Sequence, residues 1–135
     1  MKISPKNLNK FLMLKLPSAW LTGVRVVEID DNSCRVRVKH RWINQNPFNS
    51  MYFAVQAMAA ELSTGALVMR KIQKSGVKIS MLVAQNKSSF SKKATGKIIF
   101  SCNDGDKINN AISETISSGE GQTFWMRSVG TNEDD

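Results

Sequence analysis

The chain has 135 residues, with 19 Lys and Arg against 11 Asp and Glu, a formal charge of +8. That length allows one core of ordinary size, and 41% hydrophobic residues is the composition of a folded domain, which excludes a disordered polycation. Two cysteines, Cys34 and Cys102, are too few for a disulfide-stapled secreted scaffold and have no neighbouring cysteine with which to form a metal knuckle. A reducing, cytoplasmic setting is expected, with neither a bound metal nor a redox cofactor.

Pro5 opens a short helix with Leu8, Phe11 and Leu12 at helical spacing, and Pro17 closes it. The apolar run from Phe11 to Leu16 is broken by Lys15, so it is too short for a signal sequence or a bilayer span, and no membrane association is expected. Val24 to Ile29 reads as a strand, and Asp30-Asp31-Asn32-Ser33 as a turn. In the next strand Cys34, Val36, Val38, His40 and Trp42 alternate with Arg35, Arg37, Lys39 and Arg41, which gives one largely apolar face and one face of four cations.

A polar loop, 44–50, leads into a helix expected from about Met51 to Met69. Apolar residues occupy almost all of its faces, so it should be enclosed by protein. Past Gly76 the period returns to two: Val77, Ile79, Met81 and Val83 predict a strand that runs on to Phe90, and another is expected from Ala94 to Cys102. Asn103-Asp104 caps an amphipathic helix carrying Ile108, Ile112 and Ile116, and Gln122 to Val129 reads as a last strand. The expectation is a single α+β domain over residues 1–135, a mainly antiparallel sheet wrapped around one central helix.

Charge along the chain singles out one residue. Between Asp31 and Asp104 there are twelve Lys or Arg and one acid, Glu61, on the central helix. A carboxylate there must pair, take up a proton or meet water in a cavity. Ala54, Ala57, Met58, Thr64 and Gly65 flank it on a helical wheel, and the small residues among them leave room for a ligand or for close approach of the sheet. Paired with a cation such as Lys78, Glu61 would be structural; unpaired, it is a candidate general base or nucleophile.

Asn46-Pro47-Phe48-Asn49-Ser50-Met51-Tyr52, followed by the helix from Phe53 to Gly65, resembles the loop and central helix of hotdog-fold acyl-CoA thioesterases, and most closely their DUF4442 branch, related to the PaaI-like group. In that superfamily an Asn stands six residues before a His-Gly-Gly turn and a catalytic Asp or Glu nine residues after its His; Asn46, Tyr52 and Glu61 stand at those intervals. Tyr52-Phe53-Ala54 replaces His-Gly-Gly, and hotdog domains usually finish with one more strand than this chain contains.

The resemblance implies a hotdog fold and hydrolysis of an acyl thioester of coenzyme A or acyl carrier protein. It implies a homodimer or dimer of dimers with the ligand tunnel at the subunit interface. Glu61 would activate water or attack directly, the Phe53 N–H would polarise the thioester oxygen, and Asn46 would orient the water or hold the loop. Tyr52, Ala54, Thr64 and Gly65 would line the substrate. Coenzyme A enters only as part of that substrate. The alternative is a non-catalytic acyl-thioester-binding hotdog protein with an altered turn.

Other residues carry weaker signals. His40 is expected in the core or at an edge, and Cys34 and Cys102 are expected as small core residues. Ser63 and Thr64 lack a nucleophile elbow. The cationic strand has no interleaved aromatics for base stacking, which argues against nucleic acid; it reads as a solvated outer face from which phosphate contacts to coenzyme A could draw.

Overall fold

In the computed structural model, which describes residues 3–133, Ser4 Oγ accepts from Asn7 N at 3.2 Å and starts helix α1, Pro5–Lys15. Pro17 does more than end it. As the first residue of a second helix, α2 (Pro17–Leu21), it uses the fixed φ that suits an N-terminal turn. Strand β1 (Arg25–Ile29) turns through Asp30, whose Oδ1 accepts from the amides of Asn32 and Ser33, both at 2.8 Å, into β2 (Cys34–Lys39). Asn9 of α1 pairs its side-chain amide with both backbone groups of Val26, at 2.8 and 3.0 Å, beside an irregularity between Val26 and Glu28.

The alternation expected in β2 is present: Cys34, Val36 and Val38 are buried, while Arg35, Arg37 and Lys39 are exposed. The strand stops at Lys39, short of Trp42, because Asn44 draws the chain into a 3-10 turn over Trp42–Asn44. Its Oδ1 accepts from Arg41 N at 2.8 Å, and its Nδ2 donates to the carbonyls of Thr22 and Lys39, each at 2.9 Å. The central helix α3 spans Phe53–Ser75 and ends at Gly76, whose φ of 70° is the left-handed cap that glycine adopts without a Cβ clash. Strand β3 (Lys97–Cys102), helix α4 (Gly105–Ser118) and strand β4 (Val129–Thr131) complete the chain.

The strands form one antiparallel sheet in the order β1-β2-β3-β4. Helix α3 packs on β2 and β3, so Val55, Ala59, Leu62, Ala66 and Leu67 share one buried cluster with Val36, Val38, Ile98 and Phe100. A four-stranded antiparallel sheet with a long helix laid across it is the α+β hotdog arrangement.

One expected strand is absent, and the last is displaced to β4 at Val129–Thr131. Residues 77–90 and 122–128 run without ladder partners, the first exposed throughout apart from Ile79. Period-two alternation sets which face a strand would present, but a strand also needs an edge to pair with, and sequence periodicity does not specify one. The expectation that α3 is enclosed all round changes with them. Its sheet-facing side is buried, whereas Phe53, Ala57 and Glu61 on the other side are exposed.

Candidate active site

The open side of α3 forms the floor of a groove of about 1990 Å³, walled by residues 79–94 and 121–132. Phe53, Ala54, Glu61, Thr64 and Gly65 all line it, so five of the seven site residues expected from sequence lie on one surface. The small side chains work as anticipated: Ala54, Ala57 and Gly65 keep the helix surface low along the groove. Glu61 also borders a second cavity of about 260 Å³ towards α1 and α2, reached past Met58, Lys15 and Pro17. Its carboxylate stands where two spaces meet.

Among the described residues the Glu61 carboxylate has no ion pair and no hydrogen bond. Lys78, the cation the sequence offers, does not reach it. Burial by the surrounding groove walls therefore acts unopposed and raises the Glu61 pKa above the ordinary carboxylate value. Water still reaches the side chain, as a general base requires. The acids that do pair lie elsewhere: Glu28 with Arg35 at 3.3 Å, and Asp31 with Arg70 at 3.1 Å and with Lys74.

The start of α3 is held firmly. Tyr52 N donates to Asn44 O and Met51 N to Ala94 O, each at 2.8 Å, which ties the loop to the 3-10 turn and to the approach to β3. Within the helix's first turn the amides of Phe53 and Ala54 have no acceptor among the described residues, so two N–H groups point out at the positive end of the helix dipole. Glu61 is eight residues further on, about 12 Å along the axis at 1.5 Å per residue.

Asn46 and Tyr52 lie outside the groove lining. Asn46 Oδ1 accepts from Phe48 N at 2.9 Å and Ser50 N at 3.2 Å, and its Nδ2 lies 3.0 Å from Ser50 Oγ. This is loop-holding geometry, one of the two roles the sequence leaves open. The Tyr52 ring stands edge-on to that of Phe53, with centroids 5.0 Å apart, and is 47% exposed. Ser128 of the groove wall, not legible in the sequence, has its hydroxyl 2.7 Å from that of the buried Ser63, 65 residues away in the chain.

His40 is half-buried with its amide on Gly96 O at 2.8 Å, and its Nε2 has no hydrogen-bond partner among the described residues. Cys34 and Cys102 face each other across β2 and β3, both buried and free. Burial, then the neighbouring Cys102, pushes the Cys34 thiol up to about 12, which leaves it an inert core residue. Among the described residues no three His, Cys, Asp or Glu come together as a metal site, and no helix is long and apolar enough to cross a membrane.

Comparison with known proteins bears on the family and the fold. The profile of a family described as a domain of unknown function, DUF4442, matches residues 5–114. A crystal structure of a protein of unknown function from Chlorobaculum tepidum is similar with a TM-score of 0.83 at 16% identity, over 98% of this chain and 83% of that one. A Pseudomonas aeruginosa protein, called a probable thioesterase, is similar with a TM-score of 0.78 at 22% identity, over 97% of this chain and 87% of the other. At those identities the likeness is one of fold. No curated protein matches.

Proposed function

The chain belongs to the DUF4442 family, and we propose that it hydrolyses an acyl thioester carried by coenzyme A or acyl carrier protein. The observation that carries this reading is Glu61: an unpaired, water-accessible carboxylate with a raised pKa on the floor of a groove large enough for an acyl chain. The likeness in fold to a protein called a probable thioesterase supports the same chemistry.

Ionised Glu61 takes a proton from a water as that water attacks the thioester carbon. The tetrahedral oxyanion is stabilised by the Phe53 N–H, with the Ala54 N–H beside it, at the positive end of α3. Collapse expels the thiolate, and the proton held by Glu61 passes to the departing sulfur. Direct attack by the carboxylate would give an acyl-enzyme anhydride that water then opens. Thr64 and Gly65 line the acyl path, and Asn46 holds the loop. The reading invokes no cofactor and assumes a cytoplasmic setting.

With Glu61 about 12 Å along the helix from the Phe53 amide, the reading pairs the carboxylate of one copy of the chain with the helix start of a second. The exposed apolar residues Leu82 (86% exposed), Val83 and Phe90 on a stretch without a ladder partner support a homodimer. The same separation favours the second reading, an acyl-thioester-binding protein without turnover, if the chain acts alone. Short, long and aromatic acyl-CoAs offered to the wild type and to Glu61→Ala decide between them. Turnover lost in the variant supports hydrolysis, and binding without turnover in both supports the alternative.

A further inference from the structure

Arg25 of β1 and Arg37 of β2 are direct cross-strand partners, and both sit between buried valines, so their side chains share the outer face of the sheet, away from α3. Like charges so opposed destabilise a strand pair unless something offsets them. Arg41 joins them. Its guanidinium lies over Gly23, where a Cβ would meet Nη2 at 2.4 Å, so only the missing side chain lets it lie there. Lys39 and Lys97 are opposed further along the same face.

The Arg25 guanidinium is fixed in place. It stacks 3.5 Å above the Trp20 ring, and Nη1 donates to the carbonyls of Trp20 and Val24 at 2.9 and 2.8 Å. Burial, followed by the charges of Arg41 and Arg37, lowers its pKa from the ordinary arginine value. Among the described residues no carboxylate pairs with Arg25, Arg37 or Arg41: Glu28 is taken by Arg35, and Asp31 by Arg70 and Lys74. A guanidinium's fork of donors matches phosphate oxygens two at a time.

We propose that the outer sheet face at Arg25, Arg37 and Arg41 binds the diphosphate group of a small molecule. The Trp20 ring is already covered by Arg25, so it offers no free face for stacking a base. The site stands apart from the groove and does not depend on thioester hydrolysis. Coenzyme A and free nucleoside diphosphates share the chemistry it reads.

The test uses the full chain as wild type, Arg37→Ala, Arg41→Ala and, as a control on the same face, Arg35→Ala. Inorganic pyrophosphate, ADP and coenzyme A are titrated while thermal midpoint and phosphorus NMR line shape are followed. Pyrophosphate should raise the midpoint of the wild type and of Arg35→Ala, with affinity about tenfold weaker in the other two, the loss expected for one charge-assisted contact. Without ligand, Arg37→Ala should hold or raise the midpoint, because a repulsion has been removed; Arg37→Gln serves if alanine disturbs the strand. Coenzyme A binding more tightly than ADP would assign the face to the nucleotide end of a thioester substrate, and equal binding would make it a general diphosphate site; both uphold the proposal. It is overturned if pyrophosphate leaves the wild type unchanged, if all four proteins respond alike, or if only oligonucleotides bind, more tightly with length.

Discussion

A Cβ built on Gly65 would lie 3.0 Å from Glu61 Oε1, so the carboxylate folds back over a residue one turn along α3 that has no side chain. Gly65 is helical and gains nothing from its own flexibility there; alanine at that position should add up to about 1 kcal/mol of helix stability. The added methyl would push the carboxylate away. Gly65→Ala is expected to keep or raise the thermal midpoint while slowing thioester hydrolysis by about tenfold or more, a loss of roughly 1.4 kcal/mol in transition-state binding. An unchanged rate would show that Gly65 does not set the position of the carboxylate.

Burial raises the Glu61 pKa, so between its unfolded value, about 4.3, and its higher folded value the native protein binds more protons than the unfolded chain. Stability associated with this group is therefore full below the unfolded value and lost as pH rises through the folded one. Glu61→Gln should match the wild type in thermal midpoint near pH 4 and exceed it near pH 8. Parallel curves across that range would show that the carboxylate is as well solvated folded as unfolded.

Asn44 is 2% exposed and serves three backbone groups, and its own carbonyl accepts from Tyr52 at the head of α3. Asn44→Ala leaves the Arg41 amide and two carbonyls without that partner, at a cost of about 3 kcal/mol. Chemical denaturation measures it. Because the same residue holds the start of the helix, hydrolysis should fall with stability; a loss below about 0.5 kcal/mol would mean that water replaces the side chain.

The Phe53 amide is removable. Tyr52 before it is extended, with φ −62° and ψ 136°, and Phe53 is the first residue of the helix, where proline is well tolerated. Phe53→Pro should fold and lose activity by about 10²-fold or more, as when an oxyanion donor is removed. Mixed with Glu61→Gln under conditions that exchange subunits, it should regain part of the wild-type rate, because one site of the mixed dimer then has both groups. No recovery would place the two groups' action within a single chain.

Much of this was legible in the sequence. The alternation of Arg35, Arg37 and Lys39 along β2 and the isolation of Glu61 are local patterns, and local patterns survive folding, whereas the Asp104 side chain turns from its own helix to the Arg127 amide. Five of the expected site residues lie on one face of one helix, so a 100° wheel brings them together without tertiary information. Residues 77–90 and 122–128 were misread because pairing depends on which edge is free. The Ser63 to Ser128 contact and the grouping of Arg25, Arg37 and Arg41 depend on strands meeting, and alternation within one strand reveals only its own share.

The most direct measurement is the steady-state hydrolysis of short, long and aromatic acyl-CoAs, and of acyl carrier protein thioesters, by the wild type and by Glu61→Gln, which keeps the shape and removes the base. Turnover of at least one thioester by the wild type, reduced about 10²- to 10⁴-fold in the variant with its fold intact, is the predicted result. Wild-type protein inert towards every thioester, or a Glu61→Gln variant as fast as its parent, would contradict it.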